Sequence, residues 1–236
     1  MTVTNGLLVI NKPKDVTSRD VVNEVSKILK TKKIGHTGTL DPIATGVLVL
    51  TVGKATKLSE IITSEEKVYQ AEVILGVKTD TLDVTGNILD EYNTNYKEED
   101  IIKVLNSFIG TYNQEVPIYS AVKIKGKKLY EYARNNEEVT LPKRMVTIKD
   151  IKLDELNYFD NKTVFKFTCK VSKGTYIRSL INDIANKLNT IGTMKNLIRI
   201  EQGKYNIKDS YTIEDVKNNN YKIIPIKEAL KDYFTV

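Results

Sequence analysis

Two kinds of apolar pattern alternate along this chain. Short continuous runs, "GLLVINKP" from Gly6, "VLVLTVG" from Val47 and "VYQAEVILG" from Val68, read as buried strands closed by Pro or Gly. Between them lie segments with helical spacing. "TSRDVVNEVSKILK" places Val22, Val25 and Leu29 on one face, and Thr17 and Asp20 have capping-box spacing. "KEEDIIKVLNSFIG" starts acidic, carries Ile101, Ile102, Leu105 and Ile109 as its stripe, and stops at Gly110. "GTYIRSLINDIANKL" clusters Ile177, Ile181, Ile184 and Leu188, with Arg178 at the edge of that face. "MVTIKDIKLDEL" and "KTVFKFTCKVS" read as paired strands.

Helices and strands do not alternate regularly, which predicts an α+β fold with a mixed, largely antiparallel sheet flanked by helices. One segment breaks the pattern. Tyr119 to Arg144 is polar, basic and tyrosine-rich without core periodicity, and reads as an excursion from the core.

Composition narrows the chemistry. The 236 residues are 41% hydrophobic, enough for a real core. One cysteine, Cys169, cannot form an internal disulfide, and one histidine beside it leaves no zinc cluster. No Walker A or dinucleotide fingerprint is present, so no cofactor and no metal are expected. The N-terminus has too short an apolar run for a signal peptide, and no stretch reaches the length of a membrane span. A cytoplasmic protein without membrane partners is expected, and a monomer.

The net charge is +6, and its distribution matters more. Acidic residues exceed basic ones by seven between 64 and 115, whereas basic residues dominate on both sides. Lysines and tyrosines interleave in the excursion: Lys123, Lys125, Lys127, Lys128 and Arg134 with Tyr119, Tyr130 and Tyr132. Cations that track phosphates and rings that stack on unpaired bases suit single-stranded RNA.

The sharpest local feature is "GHTGTLDPIATGVL" (Gly35 to Leu48), where Asp41 sits among small and apolar residues beside His36. An Asp before Pro42 makes a sensible N-cap of a short helical turn ended by Gly46. Against a purely local role stand the glycines at 35, 38 and 46, which permit close backbone approach, and the loop's place between a helix and a buried strand. Capping and catalysis are compatible.

This stretch resembles the signature motif of the TruB-type tRNA pseudouridine synthases, and four further segments match that family in order. "LLVINKPKDVTS" is similar to its N-terminal motif, "KVYQAEVILGVKTDTLDVTG" to its second, "PIYSAVKIKGKKLYEYAR" to its tRNA-contacting insertion and "SKGTYIRSLINDI" to its arginine motif. The resemblance covers essentially the whole chain. It implies a pseudouridine synthase fold, one catalytic domain over 1–236 with an RNA-binding insertion at 119–144, and isomerisation of the T-loop uridine, position 55, in tRNA gripped by its T-arm.

Carried over residue by residue, the resemblance makes Asp41 the essential group, as nucleophile or as base. It makes Tyr69 the ring that stacks on the target base and relays its C5 proton, and Arg178 the cation paired with the aspartate. His36 takes part in displacing the base from its stack. Lys12 supports the site floor or a phosphate, and the insertion carries the tRNA contacts. The late segment "IGTMKNLIRIEQGKY" resembles a further motif at Met194, Leu197, Arg199 and Gly203, with Arg199 a substrate contact. There Thr193 stands where many relatives have histidine. Relatives also carry a C-terminal PUA domain, and this chain ends at "IIPIKEALKDYFTV", about where that domain would begin, which predicts weaker tRNA binding. Two other functions compete: a tRNA-folding chaperone with secondary or no catalysis, and a guide-RNA-dependent synthase.

Overall fold

The computed structural model describes residues 5–231. Residues 232–236, the end of the terminal segment quoted above, lie outside them. Along the chain run β1 (Gly6–Lys12), α1 (Ser18–Ile28), β2 (Ile34–His36), β3 (Thr45–Val52), a 3-10 turn (Gly53–Leu58), α2 (Ser59–Thr63), β4 (Lys67–Leu75), β5 (Val77–Thr79), β6 (Ile88–Glu91), α3 (Glu98–Asn106) and β7 (Gly110–Glu115). There follow β8 (Lys123–Ile124), β9 (Lys127–Lys128), α4 (Leu129–Arg134), β10 (Lys143–Phe159), β11 (Lys162–Val171), α5 (Ile177–Lys187), β12 (Gly192–Gln202), β13 (Tyr205–Asn206), α6 (Ile213–Lys217), β14 (Ile224–Pro225) and α7 (Ile226–Ala229). These elements form two compact units, residues 1–69 with 197–236 and residues 70–196, so the chain passes between units inside β4 and inside β12.

In the first unit, β3 pairs antiparallel with β1 and β2 and parallel with β12, while β14 lies on the far edge of β1. Helices cover both faces of the β1–β3 pair, which is why these strands read as continuous apolar runs. On one face Val21, Val22 and Val25 of α1 pack on Leu8, Ile10, Leu48 and Leu50. On the other, Leu7, Val9, Val47 and Val49 meet Ala55, Ile62, Tyr205 and Ala229. Helix α1 starts where the sequence predicts, with a reciprocal bond pair between Thr17 and Asp20 at its cap.

The second unit is built on strands in the order β4, β11, β10 and β7. The β10–β11 pairing is antiparallel, with register shifts between Ile148 and Asp150 and between Leu153 and Glu155. Strand β4 alternates buried and half-exposed positions from Lys67 to Leu75, so its continuous apolar look conceals a two-faced strand. Helix α3 departs from its predicted stripe. Ile101 and Leu105 are buried, but Ile102 and Ile109 are exposed and the helix ends at Asn106, so Gly110 opens β7 rather than stopping the helix.

The excursion from Tyr119 to Arg144 has secondary structure of its own. It holds a β8–β9 hairpin whose two-residue turn, Lys125 and Gly126, has positive φ at both positions (50° and 84°), followed by α4 with Leu129 fully buried and the Tyr132 hydroxyl bonded to the Ile124 carbonyl at 3.0 Å.

Gly46 is the glycine on which the first unit's sheet turns. Its φ is +100°, and a Cβ built there would lie 2.2 Å from the Arg199 carbonyl oxygen, at the point where β3 meets β12. Gly46→Ala should cost about 2–4 kcal/mol, because neither backbone can retreat without breaking the pairing. Urea unfolding measures it, and a midpoint equal to wild type would contradict the clash.

Candidate functional site

Asp41 sits half-buried in a turn that its own carbonyl closes, accepting from the Ala44 N–H at 3.0 Å. The turn is not helical, which corrects the expected N-cap geometry. Its two neighbours are pinned. The Ser18 hydroxyl, in the first turn of α1, accepts from the Leu40 N–H at 2.9 Å and donates to the Leu40 carbonyl at 3.2 Å. On the other side the Lys12 ammonium donates to the Pro42 carbonyl at 3.1 Å, and also to Pro13 at 2.8 Å and Val16 at 2.6 Å.

Lys12 has no exposed surface. Its ammonium donates to three backbone carbonyls, so it braces the loop that carries Asp41. Burial pushes its pKa down to about 8, while the nearby Asp41 carboxylate pulls the other way.

Arg199 is likewise enclosed. Its side chain is 1% exposed, and its guanidinium donates to the Val47 carbonyl at 2.6 Å and the Gly38 carbonyl at 3.0 Å, with a long 3.5 Å contact to the Tyr69 hydroxyl. These bonds from a buried cation hold the backbone of β3 and of the Gly38 loop. Tyr69 itself is 7% exposed on β4, with its hydroxyl at that 3.5 Å from the Arg199 guanidinium. His36 ends β2 and is half-buried, with Nδ1 enclosed and without a hydrogen-bond partner. Burial first, then the positive charges of Arg19 and Arg199, lower its pKa, so the ring is neutral near pH 7. The first unit thus gathers Lys12, His36, Asp41, Tyr69 and Arg199.

The second unit holds Arg178 and the insertion. Arg178 is 5% exposed on α5, donating to the Thr81 carbonyl at 2.9 Å and to the Tyr119 carbonyl at 3.0 Å, with Asp83 at 3.8 Å. Asp83 is a residue that the sequence reading missed. Its Oδ1 accepts from the Thr81 hydroxyl at 2.9 Å, the Thr85 N–H at 3.0 Å and the Thr85 hydroxyl at 2.5 Å, so the carboxylate facing Arg178 is itself fixed. Threonines two places to either side of an aspartate were the available signal. Thr193 is buried, its hydroxyl 3.3 Å from that of Thr79.

In the insertion, Lys127 is partly neutralised, paired with Glu137 at 2.5 Å and lying over the Tyr132 ring. Lys128 and Arg134 both approach the Tyr130 ring at 5.3 Å. Lys123 and Lys125 are exposed and have no ion pair among the described residues. Among those residues no three of His, Cys, Asp and Glu gather to hold a metal, and no helix is long and apolar enough to cross a membrane.

The same architecture occurs in solved structures. One chain of a Cbf5–Nop10–Gar1 complex superposes with a TM-score of 0.71 at 26% identity, over 96% of this chain and 61% of that one. A chain from an H/ACA RNP bound to a substrate RNA containing 2'-deoxyuridine gives 0.68 at 26% identity, over 90% and 52%. This chain spans between half and about three fifths of those. The architecture is the pseudouridine synthase fold. Residues 26–177 match the model of the TruB family pseudouridylate synthase N-terminal domain, and the tRNA pseudouridine synthase B of Staphylococcus aureus (strain MRSA252) is 46% identical, over 96% of this chain and 78% of that relative. The chain belongs to the TruB family of pseudouridylate synthases.

Because Lys12 titrates at about 8 in the folded protein against an ordinary 10.5, the unfolded chain binds the extra proton between those values. Stability should therefore rise with pH across that window, by about 1.4 kcal/mol per pH unit relative to Lys12→Met. Urea unfolding of the two proteins from pH 7 to 10 reads this difference, and a flat one would show that Lys12 keeps its ordinary pKa.

Proposed function

We propose that this enzyme isomerises uridine to pseudouridine in tRNA, at the T-loop uridine of position 55, with Asp41 as the catalytic group. The observation that carries this is the pinned Asp41 turn, held through Leu40 by Ser18 and through Pro42 by Lys12, in a chain of this family. A carboxylate whose neighbours cannot shift meets the uridine without first being ordered.

The chemistry asks little else of the protein. The bond from N1 of uracil to the sugar breaks, the base turns, carbon C5 joins the sugar and gives up its proton, and N1 ends carrying a proton in place of the sugar, with no net redox change. Asp41 serves as nucleophile or as base. Tyr69 offers a flat phenol on the buried face of β4, suited to stacking on the base and to carrying the C5 proton. Arg178 supplies the positive charge that the family pairs with the aspartate, steadied by Asp83. His36, neutral and flat, supports the stack from which the uridine leaves. Residues 119–144 grip the T-arm as an insertion in one catalytic domain, and the enzyme works as a cytoplasmic monomer.

Asp41→Asn should abolish pseudouridine formation, mapped by nucleotide in an unmodified tRNA transcript, while tRNA binding persists. If tRNA refolding by that variant is undiminished, the protein also has a chaperone role independent of catalysis. Modification by Asp41→Asn at the wild-type rate would remove Asp41 from the chemistry.

Within the insertion, Lys125→Gln should raise the KM for tRNA and make its salt dependence shallower by about one unit of slope. Lys127→Gln should do less, since Glu137 already offsets that charge. Equal salt slopes for wild type and Lys125→Gln would reject the hairpin tip as a phosphate contact.

A further inference from the structure

The first turn of α1 carries a charge that the Asp41 site does not use. Thr17 and Asp20 satisfy one another, the Asp20 carboxylate accepting from the Thr17 N–H at 2.9 Å and hydroxyl at 2.6 Å. Ser18 is spent on Leu40. Arg19, between them, is exposed and has no hydrogen bond or ion pair among the described residues. Glu24, one turn further along, already faces Lys27 at 3.7 Å and Lys217 at 3.5 Å. The helix dipole opposes a cation at this end of α1, so helix stability gives no reason for an arginine here.

Its placement suits a partner from outside. The Ser18 bonds fix this turn of α1 to the residue preceding Asp41, so the base of the Arg19 side chain has a set relation to the catalytic loop. Arg19 also lies near enough to His36 for its charge to act on that ring. Turning a nucleotide out of its stack requires the backbone beside it to be held. A guanidinium suits that task because its planar fork donates two parallel hydrogen bonds to a phosphate.

We propose that Arg19 binds a backbone phosphate of the substrate RNA beside the nucleotide turned toward Asp41, and so fixes where the strand crosses α1 next to His36. This rests on the assignment of RNA as substrate made above. An ordinary solvated surface arginine would occupy the same position without affecting substrate, and the two are separable.

Pseudouridine formation in tRNA transcript is measured for wild type, Arg19→Gln and Arg19→Lys over a range of salt concentrations. Arg19→Gln should raise KM about three- to tenfold, lower kcat by less, and make the salt dependence of KM shallower by about one unit of slope. Arg19→Lys keeps the charge and should recover most of that slope. His36 is the single histidine of the chain, so its ring resonances report one site. Its pKa in the free protein should rise in Arg19→Gln, as a neighbouring positive charge is lost. A KM and salt slope equal to wild type in Arg19→Gln, on a tRNA that wild type converts, would overturn the proposal. A wild-type protein that forms no pseudouridine would overturn the assignment of function beneath it, and the proposal with it.

Discussion

A lysine with no exposed surface is the constraint on which the first unit depends. Burying an ammonium is costly unless each of its protons finds an acceptor, and Lys12 finds three in the carbonyls of Pro13, Val16 and Pro42. One ammonium therefore joins the end of β1, the approach to α1 and the loop that carries Asp41. Arg199 repeats the device from β12, joining β3 at Val47 to the same loop at Gly38. Removing either cation would leave carbonyls unpaired in a dry interior, so the loop is held by satisfied hydrogen bonds and not by apolar packing alone.

That arrangement explains how an irregular loop can be held in one conformation. The segment from His36 to Ala44 has no regular secondary structure after His36, and glycines at 35, 38 and 46 lie in or beside it, so by composition it would be mobile. Instead its carbonyls at Gly38, Leu40 and Pro42 are each fixed by a buried side chain from a different element. The glycines then have a specific function. Gly46 lets β12 approach closely enough for Arg199 to reach across, and any side chain there would push it back.

Most of the framework was legible in the sequence, because the elements that pack on two faces announce themselves by apolar runs, and α1 by its capping box. The candidate residues were legible through the family motifs. What the pattern concealed was burial of charge. Lys12 precedes a proline and reads as a solvated turn lysine, and Arg199 lies in an apolar strand where an outward-facing cation would look the same. Neither periodicity nor composition distinguishes a cation in water from one enclosed by carbonyls, since the acceptors are backbone atoms from distant segments. Ile102 and Ile109 show the converse error. Both fit a helical stripe by spacing, but α3 ends before the second and buries only a narrow face, so they remain in solvent.

The buried cations also set the electrostatic character of the site. Lys12 and Arg199 contribute positive charge from within the first unit, and the neutral state of His36 follows partly from the latter. A cationic imidazole beside a guanidinium would repel it, whereas a neutral ring can lie against a base while the neighbouring cations attract phosphate. The cations divide physically into those enclosed and bonded to backbone carbonyls and those left exposed to solvent. Lys12 and Arg199 belong to the first class and Lys123, Lys125 and Arg19 to the second, and counterion release on binding a polyanion is a property of exposed cations.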